Sequence, residues 1–351
     1  MNLDKLSEIL KNEPKFRYAQ INKALFQDYI SVWSEASSLP KILREQLTAE
    51  CPLEIKAQIF KTAGGRKSEK ALITLTDGEI IETVLIRQRG EKTEKAETVE
   101  KSTGRNTICV SSQAGCPLGC AFCATGMNGF SRNLTAEEIT EQVIFWARRL
   151  KAEGKGEKID NIVFMGMGEP FLNYAEFIKA VKFLNNPETM NIGARRLSVS
   201  TVGLTEGIKR LAGEKIQINL AISLHAPNDS LRRELIPVAK KYPLREIFQA
   251  VDNYISRTGR RVMFEYLMIK GVNDSDKNAL ELAELIKNPL YMVNLIPYNA
   301  TGKFKPSERE RIDAFKKILE KENVPTTVRL SFGTEIAAAC GQLRGKRKGY
   351  V

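Results

Sequence analysis

The sequence predicts an α/β fold: an open, partial (β/α)6 barrel preceded by a small N-terminal helical domain and a connecting β-hairpin. Three observations predict it. From residue 106 onward, β-type runs alternate with amphipathic helical stretches, the pattern of a parallel sheet whose strands are covered by helices. Residues 1–62 instead space their apolar side chains at three and four. Between the two regions, the β-rich runs KALITLT and EIIETVLI flank Asp77-Gly78, a dipeptide that supplies positive φ for a two-residue hairpin turn.

Taken in order, LDKLSEIL, AQINKALFQDYI and PKILREQL are the helices of the accessory domain. The hairpin and a charged linker occupy residues 63–101, with Glu82 in the second strand. The segment RGEKTEKAETVEKSTGR is charged and poor in large apolar groups, so it is expected to be an exposed loop. Residues 102–351 form the core with a C-terminal extension. Its strands are NTICVSSQ, NIVFMG, RLSVST, IQINLAISL, RVMFEYLMI and YMVNLIPY, with TTVRLSF as an extra. Of the helices between them, TAEEITEQVIFWARRL opens on a Thr135/Glu138 capping box and aligns Ile139, Val143, Ala147 and Leu150 on one face. Six units are too few for a closed eightfold barrel, and ligands in such folds sit at the carboxyl ends of the strands.

Composition narrows the function classes. No apolar run approaches the roughly 20 residues of a membrane span, and the N-terminal segment lacks the apolar stretch of a signal peptide. The expected location is the cytoplasm. There, six cysteines in a chain of 351 residues point to metal or thiol chemistry and away from a disulfide framework. Lys plus Arg number 54 against 42 Asp plus Glu, a formal net charge of +12 that favours a polyanionic partner. Arg195-Arg196, Arg232-Arg233, Lys240-Lys241, Arg260-Arg261 and the tail RGKRKGYV are candidate phosphate contacts.

The sharpest chemical signal is Cys116-Pro-Leu-Gly-Cys120-Ala-Phe-Cys123, three thiols within eight residues just after the first core strand. Thiolates are the ordinary ligands of iron–sulfur clusters; a cubane takes four, so three protein ligands leave one iron open to a chelating substrate. The competing reading is a zinc knuckle, completed by Cys109 or by His225, the single histidine, although C-x3-C-x2-C is not the spacing of the common paired knuckles. Met165-Gly166-Met167-Gly168-Glu169-Pro170 closes the second core strand. Its glycines allow close backbone approach, and its carboxylate can accept from an ammonium group.

The cysteine triplet followed by this Gly-rich turn resembles the radical S-adenosylmethionine (SAM) superfamily. Over nearly the whole chain, CVSSQAGCPLGCAFCATG, FMGMGEPFLN, LSVSTVGL, AISLHAPND, NLIPYN and AACGQL resemble the RlmN/Cfr family of RNA adenosine methyltransferases. The resemblance implies a radical SAM barrel, a [4Fe-4S] cluster on Cys116, Cys120 and Cys123, and SAM contacts at Gly168, Glu169, Ser200, Ser223, Leu224, His225 and Asn299. It implies that Cys340 carries the methyl group, that Glu82 takes the ring proton, and that Cys109 resolves the protein–RNA link, ending in a Cys109–Cys340 disulfide. Cys51 matches no role and is read as structural. The implied partners are 23S rRNA, tRNA and a reducing electron donor such as flavodoxin or ferredoxin, with no membrane; no oligomeric state is implied. The expected reaction is methylation of adenosine at C2. The C8-methylating branch and a non-catalytic zinc-bound RNA-binding module remain as alternatives.

Overall fold

In the computed structural model, which describes residues 3–63, 68–88, 104–154, 157–329 and 332–345, the chain opens with α1 (Leu3–Leu10), α2 (Phe16–Phe26) and α3 (Lys41–Glu50). Pro40 immediately precedes α3, where its fixed φ suits a helix start. Helix α2 stops four residues short of the expected stretch, and Tyr29 beyond it takes a left-handed φ of 50°. Cys51 is fully buried, and the Trp33 indole N–H donates to its carbonyl at 2.7 Å.

Three strands follow: β1 (Ala57–Lys61), β2 (Glu69–Thr74) and β3 (Ile80–Gln88). Both faces of β1 are largely exposed, so it carries none of the alternation by which a sequence announces a strand. The β2–β3 connection is a three-residue loop, not the expected two-residue turn. Leu75 accepts from Gly78 N–H at 3.0 Å and donates to Glu79 at 2.8 Å, and Gly78 supplies the positive φ (88°) that ends a type I turn in a bulge. The segment 89–103, most of the expected charged loop, lies outside the described residues, as do residues 346–351 of the basic tail.

The barrel strands are β4 (Arg105–Cys109), β7 (Asn161–Phe164), β8 (Leu197–Thr201), β9 (Asn219–Ser223), β10 (Val262–Met268) and β11 (Tyr291–Pro297), six in parallel, with β5 (Gln113–Gly115) and β6 (Phe130–Asn133) forming a separate small ribbon. A seventh parallel strand, β12 (Thr326–Val328), is shorter than TTVRLSF. The helices α4 (Ala124–Met127), α5 (Ala136–Glu153), α6 (Tyr174–Asn185), α7 (Thr205–Ala212), α8 (Asp229–Leu235), α9 (Leu244–Thr258), α10 (Asp276–Leu285) and α11 (Arg309–Lys321) connect them. The Thr135/Glu138 capping box forms, and Ile139, Val143, Ala147 and Leu150 are all buried. Among the described residues no helix is long and apolar enough to cross a membrane.

The hairpin is annealed to the barrel. Strand β3 pairs antiparallel with β4 from Val84↔Cys109 to Gln88↔Arg105, so the ten-stranded sheet runs unbroken from β1 to β12. Period-two alternation then sorts its side chains. Thr83 and Arg87 face α5: Thr83 Oγ1 accepts from the Trp146 indole at 3.1 Å, and Arg87 joins Glu69 and Glu153 at 3.1 and 2.8 Å. Glu82, Val84 and Ile86 therefore face the barrel interior, in register with Cys109 and Thr107. The N-terminal helices join the same core, the Phe26 ring meeting Phe183 edge-on at 4.8 Å.

Candidate active site

Two loops at the carboxyl ends of β4 and β7 interlock. Ser111 Oγ donates to the Glu82 carbonyl at 2.6 Å and accepts from Met167 N–H at 2.9 Å. A Cβ on Gly166 would lie 2.7 Å from the Val110 carbonyl, and one on Gly168, whose φ is +98°, 2.5 Å from Gln113 Cβ. Only glycine lets the two loops close to this distance. Gln113 also accepts from Glu169 N–H at 2.9 Å, which aims the Glu169 carboxylate inward. That carboxylate is buried, accepts from Phe171 and Val202 N–H at 3.0 and 2.9 Å, and is pushed up to about 7 by burial despite those bonds.

One pocket gathers the predicted residues. Cys109, Cys116, Cys120, Cys123, Gly168, Glu169, Ser200, Ser223, His225, Asn299 and Cys340 all line it. Two predicted residues do not. The Leu224 side chain is fully buried, its backbone tied to Glu265 and Arg232. Glu82 lies on the interior face but is covered: its carboxylate pairs with Lys70 Nζ at 3.2 Å and accepts from Gly345 N–H at 3.2 Å.

Asn299 Nδ2 donates to the Cys340 carbonyl at 3.2 Å. The segment after Cys340 lies across the cysteine loop: Ala124 N–H donates to Gly341 at 2.8 Å and Asn128 to Arg344 at 2.9 Å. All six cysteines are free thiols, so the Cys109–Cys340 disulfide is absent from this state. Burial pushes Cys109 and Cys116 up to about 12 and Cys120 well above the usual thiol range. For Cys109, the charge on Cys340 raises it further and Arg329 opposes.

His225, with φ 60°, meets Phe122 edge-on at 4.9 Å. Its Nδ1 accepts from Leu267 N–H at 3.2 Å, and burial, reinforced by the Arg232 charge, pushes it down to about 3. The ring is neutral with its proton on Nε2. Ser200 Oγ bridges Ser223 Oγ at 3.0 Å and Glu265 at 2.8 Å, and Glu265 pairs with Arg329 at 3.3 Å. The sequence reading passed over Glu265 and Arg329. The signal was a charged residue inside an otherwise apolar core strand, RVMFEYLMI and TTVRLSF.

Cys116, Cys120 and Cys123 line the same pocket, and a cubane would take one thiolate on each of three irons.

Residues 110–283 match the radical SAM superfamily. A Chloroflexus aurantiacus protein described as a probable dual-specificity RNA methyltransferase RlmN is 43% identical over 98% of this chain and 92% of its own. The chain belongs to the RlmN family of radical SAM methyltransferases. A Nitrosopumilus maritimus relative, described as ribosomal RNA large subunit methyltransferase N, is 44% identical over 94% of this chain and 92% of its own. The crystal structure of a radical SAM methyltransferase from Sphaerobacter thermophilus superposes with a TM-score of 0.87 at 44% identity, covering 98% of each chain. As a member of this family the chain is an enzyme that uses a [4Fe-4S] cluster and SAM. The donor set described above fits both.

One basic candidate is corrected. Arg232 is 0% exposed and spends its guanidinium on main-chain carbonyls, so it cannot meet a phosphate. Arg195, Arg196, Arg233, Lys240, Lys241 and Arg261 are exposed.

Proposed function

We propose that this enzyme methylates C2 of an adenosine in 23S rRNA and in tRNA through a methylated Cys340. What carries the reading is that Cys109 and Cys340, two of the three thiols outside the triplet, line the same pocket as Cys116, Cys120 and Cys123, while Cys51 is buried elsewhere. The names of the two relatives support the RNA class, and that of the Chloroflexus aurantiacus protein supports its duality.

Adenine C2 is an electrophilic amidine carbon with no lone pair to attack a sulfonium, so a radical route is required. When bound, the cluster on Cys116, Cys120 and Cys123 and SAM supply a methyl group, a 5′-deoxyadenosyl radical and a return path for one electron. Gly168, Glu169, Ser200, Ser223, His225 and Asn299, which line the pocket, hold SAM, with Leu224 contributing through the strand end that carries Ser223 and His225. The Cys340 thiolate attacks the methyl carbon of one SAM, forming S-methyl-Cys340 and releasing S-adenosylhomocysteine. Hydrogen removal from the resulting S-methyl leaves a methylene radical on Cys340, which adds to C2. Glu82 accepts the ring proton once the contacts from Lys70 and Gly345 that cover its carboxylate have been released. Cys109 then attacks Cys340 Sγ; the carbon–sulfur bond breaks, its electron pair leaves with the methylene, which takes a proton, and a disulfide remains for reduction. A flavodoxin- or ferredoxin-like donor supplies the electrons. Residues 1–62 serve as the accessory unit, 63–101 as the link and 102–351 as the catalytic core.

The test is expression in cells lacking their own C2 activity, with nucleoside mass spectrometry of 23S rRNA and tRNA. 2-Methyladenosine in both is the expected result. 8-Methyladenosine as the main product overturns the choice of carbon.

A further inference from the structure

Arg232, on α8, is a buried cation without an ion-pair partner among the described residues. Its side chain is fully excluded from solvent. Nε donates to Leu224 at 3.1 Å, Nη1 to Tyr242 at 3.2 Å, and Nη2 to Val202 and, at 3.4 Å, to Ser223. All four acceptors are main-chain carbonyls, and among the described residues it forms no ion pair. Carbonyl dipoles solvate the charge without cancelling it, so a full positive charge sits in the low-dielectric interior.

Its position is specific. Ala121 N–H, between two cysteines of the triplet, donates to the carbonyl of Leu235 at the end of the same helix, at 2.9 Å. The chain that Arg232 grips, Ser223-Leu224, runs into His225, which meets Phe122 of the triplet loop and lines the same pocket as Cys116, Cys120 and Cys123. The guanidinium thus lies behind the pocket wall.

We propose that Arg232 tunes the electron affinity of the cluster, its buried charge raising the reduction potential so that a biological donor can deliver the electron that starts SAM cleavage. Cluster potentials follow net charge, hydrogen bonding and exposure, and a nearby fixed cation favours the more negative, reduced state.

This inference rests on assigning the cluster to Cys116, Cys120 and Cys123, which is checked separately: a Cys120→Ala protein that keeps full iron and sulfide sinks the assignment, whereas an unshifted potential in loaded Arg232→Gln sinks the tuning alone. The test is an anaerobic redox titration of reconstituted holoenzyme monitored by electron paramagnetic resonance. Arg232→Gln, loaded with the same iron, titrates at a more negative potential than wild type. Arg232→Lys, which keeps the charge but cannot reach all four carbonyls, titrates near wild type while unfolding at a lower temperature. Asp229→Asn, which retains an acceptor for Leu244 N–H, removes the anion that partly offsets the cation and shifts the potential upward. An unchanged potential in loaded Arg232→Gln overturns the proposal. So does an equal drop in Arg232→Lys, or, where Arg232→Gln cannot be loaded, an unshifted Asp229→Asn.

Discussion

Cys109 and Cys340 have the same side chain and opposite settings. Cys109 is buried in the sheet and pushed up to about 12, whereas Cys340 is half-exposed on a loop beside Arg329. The expected order of alkylation in the resting enzyme near pH 8 is Cys340 first and Cys109 last, since only the thiolate reacts and a thiol with a value near 12 is about 0.01% ionised there. Peptide mass mapping after a timed iodoacetamide pulse reads it directly, and raising the pH accelerates Cys109. The order also follows the roles proposed for the two thiols. Cys340 must act first and Cys109 only once the RNA link has displaced its surroundings, so Cys109→Ala should accumulate protein joined to RNA through Cys340, visible as a slow band on a denaturing gel that ribonuclease removes. At this scale the cysteines and the Gly-Glu run were legible in the sequence because they are dense, unusual and contiguous. Arg329, Glu265 and Lys70 were not, because each gains meaning only from a partner distant along the chain.

Glycines in the loops after β4 and β7 separate two costs. Gly119 has φ +61° with open space around its missing Cβ, so Gly119→Ala carries only the left-handed backbone penalty of about 1–2 kcal/mol. Gly168 adds a collision with Gln113, and Gly168→Ala must also break the bond from Glu169 N–H to Gln113. The expected outcome is a larger fall in unfolding temperature for Gly168→Ala, with SAM binding by calorimetry weakened in that variant and retained in Gly119→Ala. Core strands and helices were readable because apolar periodicity survives burial on one or both faces. Strand β1 was not, since an edge strand exposed on both faces leaves no period. The hairpin's length and composition were visible, but its three-residue loop was decided by the pairing of Leu75 with Glu79, a contact that local propensity does not encode.

For the molecule as a whole, the +12 charge matters through its distribution. With Arg232 withdrawn into the interior, Arg195, Arg196, Arg233, Lys240, Lys241 and Arg261 remain exposed to meet phosphates. If about six phosphates are engaged, affinity for RNA should fall on the order of 10³-fold between 50 and 200 mM salt, which filter binding across a salt series measures. Reversing Arg195 and Arg196 to Glu should flatten that slope while leaving the iron content unchanged. The same long-range assembly sets a timetable. Lys70 donates to Ala337 at 3.2 Å, and Glu82 accepts from Gly345 at 3.2 Å, so strands made early are finished by residues made late. From Cys123 to Cys340 is 217 positions, roughly 10–40 s of synthesis at about 5–20 residues per second. Through that interval the triplet of a nascent chain stands uncovered, open to oxidants and to the wrong metal, and the ribosome must release the last segment before the site can close over what it has bound.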